Sequence, residues 1–179
     1  MSNHFYTTNS IILLGYMGSG KSTIGAALSG VLDIPFTDLD ALIESKYEMS
    51  VPDLFVNKGA KLFRQIEHEM LKDTLVDTPP KVISLGGGTP CYHDNLEHIL
   101  AATPHVFYLK ATPSELADRL YEGRVSRPLI AHAASESDLK EFIAKHVFER
   151  QNFYAQAPHH IHVGKCSIDE AVNTICALL

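Results

Sequence analysis

Gly15-Tyr-Met-Gly-Ser-Gly-Lys-Ser22 fits the pattern G-x-x-x-x-G-K-[ST], with Gly15, Gly20, Lys21 and Ser22 at its four fixed positions. Glycines let a backbone fold back and turn consecutive N–H groups inward, which makes a concavity for an anion. The pattern carries weight only between a strand and a helix. Ile11-Ile-Leu-Leu14 reads as the strand. Ile24, Leu28, Val31 and Leu32 recur at helical spacing after the loop, and the positive end of that helix points at the same spot. Lys21 adds a point charge for terminal phosphates, and the Ser22 hydroxyl suits Mg²⁺. The stretch therefore predicts nucleotide phosphate binding through Gly18, Ser19, Gly20, Lys21, Ser22 and Thr23.

Away from the loop, short apolar runs alternate with helical patterns, the signature of a parallel sheet with crossover helices. Strands are expected at 11–14, 35–37, 82–85, 105–109 and 161–163. Helices are expected at 23–32, 40–47, 51–55, 61–75, 96–100, 113–120, 137–155 and 168–178. Several strands are almost continuously apolar, as they must be when helices cover both faces. The predicted fold class is α/β: a three-layer, doubly wound parallel five-stranded sheet in one domain of 179 residues.

Composition narrows the setting. Hydrophobic residues make up 45% and charged residues 20%, ordinary globular values. A net charge of −6 argues against nucleic acid or an anionic membrane as the main partner. Cys91, Cys166 and Cys176 are odd in number and lack metal-ligand spacing, which suits a reducing cytoplasm. Residues 1–9 show no basic-then-apolar targeting layout, and no apolar run approaches the ~20 residues that span a bilayer. The expectation is a soluble, cytoplasmic protein.

Ligands of doubly wound sheets sit outside the carboxyl ends of the strands. Asp38-Leu-Asp40 follows the second expected strand. Asp40 as the cap of the helix starting at Ala41 is one reading. In the other, one carboxylate serves Mg²⁺ and its neighbour meets an acceptor hydroxyl. Val82-Ile-Ser-Leu85 ends in glycines rather than an aspartate, so Asp38 is the nearest carboxylate for the metal. Gly86-Gly-Gly88 is either a tight turn or a place where bulk is excluded beside the loop. Arg64 and Glu67 stand one helical turn apart, as a solvated surface pair or as an oriented one. The stretch 122–130, with Arg124 and Arg127 between Gly and Pro, has the character of a mobile basic lid over a phosphate site. His159, His160 and His162 fit alternation on an edge strand better than a metal cluster. Cys91 lies just past the glycines, beside the expected pocket.

In order along the chain, the loop 15–22, Phe36-Thr-Asp-Leu-Asp40, Gly59-Ala-Lys-Leu-Phe-Arg64 with Glu67, Gly86-Gly-Gly88, Arg127-Pro-Leu129, and Arg150 four residues before Tyr154 resemble the shikimate kinase family. The resemblance spans nearly the whole chain. It implies a fold like that of nucleoside monophosphate kinases, with a substrate-binding lobe at about 38–68 and a lid at about 122–136. It also implies phosphoryl transfer from ATP, with Mg²⁺, to the 3-hydroxyl of shikimate, by a monomer acting on two small molecules. By similarity Asp40, Arg64, Gly87 and Arg150 hold shikimate, the arginines on its carboxylate and Asp40 on its hydroxyls. Gly88 shapes that pocket and Glu67 supports Arg64. Asp38 and Ser22 lie on the Mg²⁺ side, Arg127 reaches the phosphates with Lys21, and Arg119 flanks adenine. Two rivals stand beside this reading. One is another small-molecule kinase of the same fold, such as a gluconate kinase. The other is a non-catalytic ATP-binding module, which predicts loss of Asp38, Asp40 or the lid arginine.

Overall fold

β1 (Ile11–Leu14) buries all four of its side chains, and its alternation sends Ile11 and Leu13 into one core and Ile12 and Leu14 into another. Fully burying such a side chain contributes about 1.5–3 kcal/mol, so this short strand anchors both faces of the molecule. The computed structural model describes residues 7–179, and most of the polar stretch 1–9 lies outside the described residues. Four further strands join β1: β2 (Phe36–Asp38), β3 (Val82–Ser84), β4 (Val106–Lys110) and β5 (His159–His162). All pairings are parallel, in the order β2-β3-β1-β4-β5, so the phosphate loop leaves the central strand. The order reverses on the two sides of β1, which opens the ligand crevice at that strand's carboxyl end.

Helices cover both faces: α1 (Lys21–Leu32), α2 (Leu39–Tyr47), α3 (Val51–Val76), α4 (Asn95–Ala102), α5 (Pro113–Leu120), α6 (Glu136–Tyr154) and α7 (Ile168–Cys176). One core gathers residues of α1, α5, α6 and α7 against Ile11, Leu13 and Phe107. The other gathers residues of α2, α3 and α4, with Tyr154, against Ile12, Leu14 and Ile83. Capping boxes start α5 (Thr112 and Glu115), α6 (Ser135 and Asp138) and α7 (Ser167 and Glu170), each satisfying two backbone donors that a helix start leaves free. None of the helices among the described residues is long and apolar enough to cross a membrane.

Several boundaries refine the sequence reading; β5, expected at 161–163, starts two residues earlier, at His159. The expected helices at 51–55 and 61–75 run together as α3, but the span breaks at Gly59 (φ 78°, ψ 158°), a backbone region almost closed to side chains. The expected strand at 35–37 sits one residue later, with Asp38 paired opposite Ser84. On the edge strand, His159 stacks on Phe107, His160 meets Tyr108 edge-on and bonds the Ala157 carbonyl, and His162 is exposed. Neighbouring histidines there point to opposite faces, as an edge strand requires.

Candidate active site

The loop is built as its composition demands. Gly20 takes a left-handed conformation (φ 90°) at the start of α1, and its carbonyl accepts the first helical bond from the Ile24 amide at 2.8 Å. Lys21 is buried, and its ammonium donates to the carbonyls of Gly15 (2.9 Å) and Tyr16 (3.1 Å). Burial lowers its pKa to about 8. Asp40 and Asp38 oppose that shift, while Arg127 and Arg150 add to it. Both arginines therefore lie within electrostatic reach of the loop. The Ser19 hydroxyl is buried with no hydrogen-bond partner among the described residues, a polar atom left over inside the loop.

Because β2 runs one residue further, Asp38 and not Asp40 caps α2. Asp38 Oδ1 accepts from the amides of Asp40 (3.1 Å) and Ala41 (3.3 Å). Its other oxygen accepts from the Ser22 hydroxyl at 2.7 Å. A hydroxyl and a carboxylate so placed are hard oxygen donors of the kind that hold Mg²⁺. Asp40 is thereby released from capping. Its pKa is raised to about 6, chiefly by burial and then by the neighbouring charges of Asp38 and Glu67, with Lys21 opposing.

The triple glycine is a matter of volume. A Cβ on Gly86 would lie 2.8 Å from Asp40 Oδ1, and one on Gly88 would lie 2.7 Å from an Arg64 nitrogen. A Cβ on Gly87 would lie 3.4 Å from Gly15 O, and the Gly87 carbonyl accepts a short bond from the Tyr154 hydroxyl. The glycine turn is thus pressed between the phosphate loop and the side chains of Asp40 and Arg64.

Arg64 and Glu67 are no solvated pair. They meet at 2.6 Å with Glu67 only 1% exposed. The second oxygen of Glu67 accepts from Thr89 Oγ1 at 2.7 Å, and the Arg64 guanidinium stacks 4.0 Å above the Tyr92 ring. Salt bridge, stacking and the space left by Gly88 hold the guanidinium flat at one orientation. Arg150 lies over the Tyr16 ring at 5.6 Å. Cys91 lies within electrostatic reach of both Arg150 and Arg64, yet burial pushes its pKa up to about 11. A thiol held neutral is a wall, not a nucleophile.

On the donor side, Arg119 ties three carbonyls together: Gly18 at 3.2 Å, Val163 at 2.5 Å and Gly164 at 2.8 Å. It borders a cavity of about 210 Å³ that runs from Gly18–Thr23 to Cys166 and Ile168. The turn after β5 therefore closes this cavity, and Arg119 fixes its wall through backbone bonds. Of the two arginines in the stretch 122–130, Arg124 is engaged locally, donating to Tyr121 O (2.7 Å) and Ala133 O (3.0 Å). Arg127 is exposed and is the one felt at Lys21. Sequence reasoning missed Thr89 and Tyr92, and took Tyr154 only as a spacing mark. The i,i+4 relation to Arg150 was the one available signal for Tyr154, since it puts both on one face of α6.

A phosphate-loop cradle on the central strand, with Asp40 and the Arg64 guanidinium held against the glycine turn beside it, is the arrangement of a small-molecule kinase of the P-loop class. A family model described as shikimate kinase matches residues 17–179. A shikimate kinase of Flavobacterium johnsoniae is 44% identical over 94% of this chain and 98% of its own. The crystal structure of a shikimate kinase from Bacteroides thetaiotaomicron superposes with a TM-score of 0.88 at 33% identity, covering 95% of this chain and 97% of that one. A shikimate kinase from Acinetobacter baumannii in complex with shikimate gives 0.83 at 29% identity, covering 99% and 96%. The chain belongs to the shikimate kinase family and is an ATP-dependent kinase.

Proposed function

We propose that this enzyme transfers the γ-phosphoryl of ATP to the 3-hydroxyl of shikimate, with each half of the site formed by the residues described above. The observation that carries the acceptor assignment is Arg64, a guanidinium locked by Glu67 and Tyr92 on the pocket side of Gly88. A planar fork held in one orientation suits a carboxylate bidentately, and Arg150 supplies the second positive charge on that ligand. Asp40 orients the acceptor hydroxyl, and Gly87 and Gly88 let the ring approach. Family membership and a relative at 44% identity favour shikimate over gluconate. Asp38, Asp40 and Arg127 are all present, which counts against a non-catalytic module.

Ser22 and Asp38 would hold Mg²⁺, which would supply charge neutralisation for the transferred phosphoryl group. Lys21 exchanges its loop carbonyls for phosphate oxygens, and Arg127 reaches the same group from the lid, residues about 122–136. Residues about 38–68 act as the acceptor lobe within the single domain. Catalysis of this kind is positioning and electrostatics more than covalent chemistry. Arg119 acts on the adenine pocket by fixing its walls. The enzyme works as a cytoplasmic monomer on small molecules, consistent with its net charge of −6 and three free cysteines.

Arg64→Ala should raise the shikimate KM about 10- to 100-fold, the value of a lost charge-assisted bond of ~1.5–3 kcal/mol. It also strands the buried Glu67 carboxylate, so its thermal midpoint should fall. Gly88→Ala shifts the balance between the two effects. Its methyl pushes the guanidinium aside without removing the charge beside Glu67, so the acceptor KM should rise while the melting temperature falls less than in Arg64→Ala. An unchanged KM in both variants would overturn the carboxylate clamp.

A further inference from the structure

We propose that His68, Asp94 and His98 form a binding site for a transition-metal dication of the zinc class, and that its occupation loosens the acceptor clamp. One ligand atom from each of the three residues lies within 4.8 Å of the others. His98 Nε2 is 3.2 Å from Asp94 Oδ2, and His68 Nδ1 is 3.6 Å from Asp94 Oδ1. Tetrahedral zinc with nitrogen and oxygen ligands at ~2.0–2.1 Å places neighbouring donors about 3.4 Å apart. Each distance, one to each carboxylate oxygen of Asp94, is close to that spacing.

Asp94 and His98 are four residues apart at the start of α4, and His68 reaches them from α3. Two imidazoles and a carboxylate leave a fourth position for water. The side chains of Asp94 and His98 are partly exposed, so an ion enters from solvent without rearranging the core. His93 packs against His68 with ring centres 5.1 Å apart, and Lys72 is the basic side chain felt at Asp94 beyond the two histidines.

The site is joined to the acceptor pocket by an unbroken chain of bonds. His68 Nδ1 stands 2.7 Å from Asn95 Oδ1, and Asn95 Nδ2 donates to the Thr89 carbonyl at 2.8 Å. The second bond fixes Oδ1 as the acceptor, so Nδ1 carries the proton. Thr89 Oγ1 then donates to Glu67, and Glu67 holds Arg64. A ring nitrogen gives its lone pair to a metal only after releasing its proton, here to solvent. A metal on Nδ1 therefore replaces the bond to Asn95 and slackens the chain at its outer end. The coupling rests on the reading of Arg64 as the acceptor clamp.

Calorimetric titration of the full chain with zinc, without nucleotide, should show one site whose affinity falls at least tenfold in His98→Ala. With Mg–ATP in excess, zinc should raise the wild-type shikimate KM several-fold with little change in kcat. His98→Ala should show wild-type constants without zinc and no KM response to it. No saturable binding to the wild type, or equal binding to His98→Ala, overturns the site. A wild-type KM that stays constant with zinc bound overturns the coupling. The zinc-free Arg64 and Gly88 variants test the clamp reading separately.

Discussion

Asp40→Asn is expected to lower turnover with shikimate by about 10²–10⁴-fold, the range for a positioned group handling a reacting proton, while ATP affinity stays within about twofold. The structure separates the two. Asp38, not Asp40, bonds Ser22 and caps α2, so the donor half keeps its carboxylate in the variant. Asp40 is half-buried near Lys21, and desolvation with its acidic neighbours raises its pKa to about 6. Only the ionised form can take the proton of the substrate hydroxyl, and it is the stronger acceptor, so kcat/KM for shikimate should rise as pH increases through about 6. The basic limb should come from Lys21, with activity falling as the pH passes about 8 and the ammonium is lost. Stability carries the opposite sign for Asp40. Between the ordinary carboxylate range and about 6, the folded chain holds a proton that the unfolded chain has released, so ionisation weakens the fold as pH rises through that window. Asp40→Asn should thus be at least as stable as the wild type at pH 7. A variant retaining more than a tenth of wild-type turnover would remove Asp40 from its role.

Lys21→Ala should cost about 10²–10³-fold in kcat, the scale for losing one preorganised donor to the transferred charge, together with a raised ATP KM. The loss should not come from unfolding. Removing the ammonium frees the carbonyls of Gly15 and Tyr16, but it also removes a buried charge whose pKa is depressed by desolvation. The thermal midpoint should accordingly hold within a few degrees. Lys21→Arg should not restore activity, because a longer planar fork cannot occupy the place of a compact ammonium inside the loop. Near-normal ATP KM in Lys21→Ala, measured by ADP release, would contradict a phosphate role.

The donor half was legible because its chemistry is local. Four fixed positions between a strand and a helix specify the phosphate loop, and the apolar runs around it specify a parallel sheet. Gly59 shows the same on a smaller scale, since the break between two helical patterns is an actual break in α3. The carboxylates were legible as a pair but not in their division of labour. A shift of one residue in β2 moves the cap from Asp40 to Asp38, and boundaries of that fineness are not written in side-chain periodicity. Arg64 and Glu67 looked like a surface pair because spacing reports the helix face and not what lies above it. Tyr92, Thr89 and Gly88, which bury that pair, come from a distant part of the chain. Arg119 illustrates the same limit, as its three carbonyl partners span the loop and the end of β5.

The acceptor half names the enzyme, and a coupled ADP-release assay offering shikimate, gluconate and several nucleoside monophosphates in parallel tests it most directly. Rapid ADP release that depends on shikimate, with gluconate and the nucleotides near background, is the predicted result. Faster release with gluconate or a nucleotide, or none with shikimate, would contradict the assignment of the pocket between Asp40, Arg64 and Arg150.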